Sequence, residues 1–189
     1  MAIARPAGTW TYADLVDLPD DGRRFEIIDG ELYESSSPLL RHAAVISALF
    51  RLLLPLIDRL GGKLYTASVD VFFAGADPVV PDFMVVLPGS RARLAPRGIE
   101  GPPDLLIEVI SPSNRTHDTV RKRALYARGG VREYWIVDPE AGSIEIIGAD
   151  GDLSQRVTLA DGAALRLRSP LLGELATEAA ALFPRDEED

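Results

Sequence analysis

The chain has no cysteine among its 189 residues. That excludes a disulfide framework, a thiolate metal site and a cysteine nucleophile, and it accords with a reducing, cytoplasmic setting. It also lacks a basic excess: the net charge is −9 at pH 7. A protein that holds nucleic acid mainly by counterion release carries positive charge on at least one face. Any polyanion-binding reading therefore needs a local basic patch or metal ions. No apolar run of signal-peptide length opens the chain. The most apolar segment, HAAVISALFRLLLPLIDRL, contains Arg51 and Pro55 and ends in charge, which argues against a membrane span. Internal repeats and low-complexity stretches are absent too. What is present is an ordinary globular composition, 47% apolar and 26% charged, in a length that suits one domain with a sizeable core.

The apolar pattern predicts the elements. TWTYADLVDLPDDG reads as a short helix capped by Thr11, with Tyr12, Leu15 and Val16 packing inward. RFEIIDGELYE is two strands around Asp29-Gly30, a favoured hairpin turn. Val45, Leu49, Leu52, Leu53 and Leu56 fall at helical spacing over residues 39–60, with Pro55 expected to kink or end that helix. LYTASVDVFFAG alternates Tyr65, Ala67, Val69, Val71 and Phe73 along one strand face. VVPDFMVVLP, PDLLIEVIS and REYWIVDPE are apolar enough for central strands covered on both sides. Between the last two, THDTVRKRALYARGG reads as a helix capped by Thr116 and stopped by Gly129-Gly130. GSIEIIG, LSQRVTL and ALRLR follow as meandering strands, and a helix over 173–183 precedes an acidic tail, 184–189. The order implies one α/β domain over 1–189, its core about residues 10–170. Helices interleave with part of the sheet and antiparallel ribbons extend it, without the repeating rhythm of a doubly wound fold.

Two of the central runs carry a carboxylate, Asp82 in VVPDFMVV and Glu108 in LLIEVI. Burying an unpaired carboxylate costs several kcal/mol. If the strands are neighbours, the two acids converge, and then one must protonate or a cation must sit between them. Mg²⁺ or Mn²⁺ meets that demand with few protein ligands, and the Val109 carbonyl is a natural further oxygen. The plainer reading is that each acid caps a helix or pairs with an arginine. It is the better one for Asp82 alone, but not for the pair. Asp118, Lys122 and Tyr126, at i, i+4 and i+8, share a helix face. Lys122 can thus point back toward the Glu108 strand and orient an attacking water. An ordinary Asp118–Lys122 surface pair is the competing account. Glu26 and His42 are candidates to complete a metal shell or act on the water, with His42 read as facing substrate or supporting a ligand. Arg41, Arg121, Arg123, Arg128 and Arg132 are candidate phosphate contacts.

Taken in order, FEIIDGEL, RHAAV, VVPDFMVV and PPDLLIEVISPSN…D…K…Y…GVREYWIVDPE resemble the Uma-type restriction-endonuclease-like family of the PD-(D/E)xK nuclease superfamily. The resemblance implies a mixed central sheet flanked by helices, a divalent metal and cleavage of phosphodiester bonds in DNA, with RNA as the other candidate polymer. Pro81-Asp82 matches the PD element and Glu108 the second acid. The superfamily's usual lysine would fall at Ile110, and the resemblance implies that it has moved to Lys122. Glu26 and His42 match the family's early glutamate and its histidine, while Asp118, Tyr126 and Tyr134 match recurring positions. Cleavage to a 5′-phosphate and a 3′-hydroxyl is implied as well. The rival readings are a catalytically weak or inactive nuclease-fold module for binding or assembly, and metal-dependent hydrolysis of a small phosphoester. A homodimer is a further expectation, pairing copies through SIEIIG or DVFFAG.

Overall fold

From Leu105 to Ile110 every residue is buried, and a strand with no solvated face belongs in the middle of a sheet covered on both sides. The computed structural model, which describes residues 8–18, 24–28, 30–35, 40–66, 68–111, 117–161 and 163–184, has this arrangement. A short 3₁₀ helix, Tyr12–Asp17, precedes β1 (Arg24–Ile28), β2 (Glu31–Ser35) and the long helix α1 (Leu40–Arg59). Then come β3 (Lys63–Thr66), β4 (Val71–Phe72), β5 (Phe83–Val86), β6 (Arg93–Ala95), β7 (Gly98–Glu100) and β8 (Leu105–Val109). A wide π-type turn, His117–Lys122, runs into α2 (Arg123–Gly129). The chain ends with β9 (Glu133–Asp138), β10 (Ser143–Gly148), β11 (Leu153–Thr158), β12 (Ala164–Ser169), β13 (Gly173–Glu178) and the one-turn α3 (Ala179–Leu182).

Six strands form the central sheet in the order β11-β10-β9-β8-β5-β3. Only β8 and β9 run parallel within it. Side chains alternate between the two faces. Leu105, Ile107 and Val109 join Trp135, Val137, Ile144 and Ile146 beneath α1 and the β12–β13 hairpin. Leu106, Met84, Tyr134 and Ile136 meet α2 on the other face, together with Ile28 of β1 and Val71 and Ile99 of a small β4-β7-β6 sheet. By alternation Glu108 belongs to this second face. By length and composition α1 passes the test for a bilayer-crossing helix. Val45, Leu49, Leu53 and Ile57 are nevertheless completely buried along one stripe of it, against the sheet, the pattern of a core helix.

Several expectations are corrected. The strand expected over 64–75 is broken: β3 joins the central sheet, Ser68 turns with φ 79°, and β4 pairs parallel to β7. Tyr65, Val69, Val71 and Phe73 still serve one core, so the alternation marked a shared face and not a continuous strand. Pro55 does not end α1. Proline costs the helix a bond to the Arg51 carbonyl, and both positions are exposed, so water can take that bond. The expected helix over 173–183 is a strand with one helical turn after it. There β12 presents Leu165 and Leu167 to the core, and its cross-strand partner outweighs the helix-favouring composition of ELATEAAAL. Tyr12 is not buried but 42% exposed; its ring meets Phe72 edge-on, and its hydroxyl donates to Asp70. Finally, SIEIIG lies between β9 and β11 and is no free edge for a second copy, whereas β4 within DVFFAG ends its small sheet, paired with β7 on one side and bridged to Val79 at Val71. Thr116, Asp29 and the tail from 185 lie outside the described residues. Gly130, at φ 84°, ends α2 in the left-handed conformation that glycine tolerates.

Candidate active site

The site lies where β8 ends and β5 begins. The rows Phe83↔Ile107 and Met84↔Leu106 fix the antiparallel register. Continued by one residue, it sets Asp82 opposite Glu108, and directly opposed residues share a face. Asp82 sits just outside the ladder and uses its carboxylate there: Oδ2 accepts the Val109 N–H at 2.8 Å. His42, in the first turn of α1, brings Nε2 to 3.5 Å from the same oxygen. Asp82 therefore ties together the sheet end, the long helix and the row containing Glu108.

Glu108 is only 3% exposed, and its Oε1 is the focus of two donors. Lys122 Nζ lies 2.9 Å away and the Tyr126 hydroxyl 2.7 Å away. Both residues are buried, Lys122 at 4% exposure and Tyr126 at 1%. In a chain rich in arginine, Lys122 is one of two lysines. A compact ammonium on a flexible stem suits a single-point approach to one oxygen, where a planar guanidinium would need a wider slot. The Tyr126 ring is held edge-on to Tyr134 at 4.9 Å, and Phe73 flanks it at 5.9 Å. The neighbouring Arg121 turns the other way. It pairs with Glu31 of β2 and lies over the Tyr33 ring, while the Tyr33 hydroxyl also donates to Glu31. Glu31 and Tyr33 are not among the residues that the sequence singles out, since strand alternation is the only signal they carry.

The remaining candidates are dispersed. Glu26 stands opposite Tyr33 in the hairpin register and Asp118 lies in the π-type turn; their side chains fall outside the described set. Arg123 donates to the Gly151 carbonyl. Arg132 is at the wrong end of the sheet for a phosphate contact, bonded to Asp104 just before β8. The Arg41 Nε is buried without a hydrogen-bond partner. Ile110, where the superfamily's lysine would fall, is buried in the core. Val109 meets Asp82 through its N–H.

Among the described residues no three His, Asp or Glu side chains form a metal cluster. Glu108 Oε1 and Asp82 Oδ2 are already engaged, so a cation held by these two acids would take their other oxygens and keep most of its water, as Mg²⁺ commonly does with one or two carboxylates. All-oxygen donors without a thiolate favour Mg²⁺ or Mn²⁺ over softer ions.

A second buried acid occupies the opposite end of the β8–β9 pair. Glu133, 1% exposed, accepts from Trp135 Nε1 at 2.5 Å and from the Leu171 N–H at 3.2 Å. Burial raises its pKa above the ordinary value, against hydrogen bonds from Trp135, Ser169 and Leu171 and the charge of Arg132, which lower it.

Residues 12–180 match the model of the family described as "Uma2: Putative restriction endonuclease". No curated protein matches the chain. Among solved structures, one described as a "putative nuclease belonging to DUF820", from Anabaena variabilis, superposes with a TM-score of 0.72 at 18% identity. The match covers 92% of this chain and 97% of that one, and at such identity it speaks for the shared mixed α/β fold. With nearly its whole length matched by the family model, the chain belongs to the Uma2 family.

Proposed function

We propose that this protein is a divalent-metal-dependent endonuclease acting on DNA. One observation carries the reading: a buried lysine lies 2.9 Å from a buried glutamate, and the next residue on that strand, Val109, donates its N–H to the Asp82 carboxylate. A structural ion pair needs no second acid next to it, whereas phosphoryl chemistry uses such a set.

Asp82 and Glu108 would hold the cation, with Glu26 assigned to complete the shell directly or through water. When bound, the ion neutralises charge on the scissile phosphate and acidifies a water. Lys122 donates a positively charged N–H where charge develops in the transition state. It does so from the helix after β8, which relieves Ile110 of that task. Tyr126 holds the Glu108 oxygen in place, and His42 orients Asp82. The Val109 amide, donating to Asp82 Oδ2, restricts which way that carboxylate faces. In-line attack would leave a 5′-phosphate and a 3′-hydroxyl.

The test is incubation of plasmid and single-stranded DNA with Mg²⁺, Mn²⁺ or EDTA, comparing the wild type with Glu108→Ala. Cleavage by the wild type alone, abolished by EDTA, is expected. Equal cleavage by both proteins would assign the activity to a contaminant. No cleavage by either, with normal folding, would favour the binding-module alternative, to which the buried Ile110 already lends weight.

A further inference from the structure

Residues 90–98, SRARLAPRG, form a local basic run in an acidic chain. They build the β6–β7 hairpin, which with β4 makes a small three-stranded sheet on the Glu108 side of the molecule. Arg93 pairs with Glu100, and Arg97 bonds the same carboxylate while stacking on the Phe72 ring at 4.3 Å. Both guanidinium side chains remain mostly exposed. Between this hairpin and the end of β3 lies a cleft of about 280 Å³, lined by Tyr65, Ser68, Asp70, Leu94, Pro96 and Arg97 among others.

Register places the cleft relative to the candidate site. Tyr65 pairs with Met84, and Met84 with Leu106, so the three form one row across the sheet. All three side chains belong to the same core face, and Glu108 is two residues beyond Leu106 on it. Two strand spacings and two residues amount to roughly 12 Å from Tyr65 to Glu108. Ser68 is the one non-glycine among the described residues with positive φ. Such conformations cluster at binding sites and switch regions.

We propose that this cleft is a subsite for one unpaired nucleotide of a DNA strand whose neighbouring phosphate lies at Glu108. The inference rests on the nuclease reading and adds where the strand is held. The cleft is at the small end of ligand-pocket volumes and too small for a duplex, but it has the chemistry of a nucleotide. Tyr65 and Leu94 supply apolar surface for a base, Asp70 supplies an acceptor beside the Tyr12 hydroxyl, and Arg97 supplies a guanidinium for a phosphate. Proteins that bind single strands combine these parts, a basic track with surfaces for stacking.

Binding of a short fluorescent single-stranded DNA is measured in EDTA, where cleavage plays no part. The same oligonucleotide with a central abasic position, and a duplex of equal length, are measured beside it. Leu94→Glu and Arg97→Ala alter exposed side chains, and circular dichroism checks their folding. Each is expected to weaken the single strand about tenfold, the scale of one lost base contact. The abasic oligonucleotide should bind the wild type more weakly and Leu94→Glu no more weakly. Unchanged affinity in both folded variants, or duplex binding stronger than single-strand binding, would overturn the proposal and leave the cleft a packing gap. Glu108→Ala separates the two readings. Cleft-dependent binding without Glu108-dependent cleavage would sink the nuclease and keep the subsite. Glu108-dependent cleavage indifferent to Leu94→Glu would do the opposite.

Discussion

Glu108 and Glu133 lie on adjacent parallel strands, at opposite ends of the same pair, and both are buried. Their partners differ. Glu133 accepts from an indole and a backbone amide at the start of the β12–β13 turn, groups that neither gain nor lose a proton near neutrality. Next to it Asp104 accepts the Leu87 amide and Arg132. These acids fasten loops to the sheet. Glu108 instead gathers a lysine and a tyrosine onto one oxygen, and Asp82, with His42 beside it, bonds the N–H of the next residue, Val109. Burial alone does not separate these acids; what separates them is that a lysine ammonium and a tyrosine hydroxyl meet on a single Glu108 oxygen.

The largest effect that tests this contrast concerns rate. Glu108→Ala should cut cleavage by about a thousandfold or more, while Glu133→Gln leaves the rate per folded molecule unchanged; a comparable loss in both would erase the distinction. Next is the buried pair itself. Lys122→Ala strands a carboxylate and should destabilise by about 3–5 kcal/mol in urea unfolding, whereas Lys122→Met combined with Glu108→Gln should recover most of that. Glu133→Ala leaves an indole and an amide unsatisfied, for about 1–3 kcal/mol.

The pH response of Glu133 is a finer test. Because burial raises its pKa, the fold favours the neutral acid. That contribution is fully present below the ordinary carboxylate range and is lost as pH rises through the raised value. Wild type should therefore lose stability relative to Glu133→Gln across that interval in urea titrations at stepped pH. A slope of the opposite sign would mean that the hydrogen bonds from Trp135, Ser169 and Leu171 outweigh burial. Smallest is Arg132→Ala, where the guanidinium is half exposed; less than about 1 kcal/mol is expected.

The central strands are legible in the sequence because β5, β8 and β9 are apolar on both faces, a pattern that a strand at a sheet edge or with one solvated face does not produce. That β5 and β8 are neighbours, with Asp82 at the end of one and Glu108 within the other, follows the same pattern. Lys122 is legible through its spacing to Tyr126, although the turn before it is π-type and not α-helical. Ser68 and residues 173–178 are not. A left-handed serine has no compositional mark, and a strand set by its partner's buried leucines looks helical when read alone. The β6–β7 hairpin escapes sequence reasoning for a related reason, since three short strands of a platform carry too little periodicity to register.

Arg121 and Lys122 are consecutive, yet one reaches outward to the β1–β2 ribbon and the other inward to the sheet. A single widened turn thus rivets two layers with adjacent side chains. The β1–β2 ribbon and the buried acid are each bound by a side chain of the same turn.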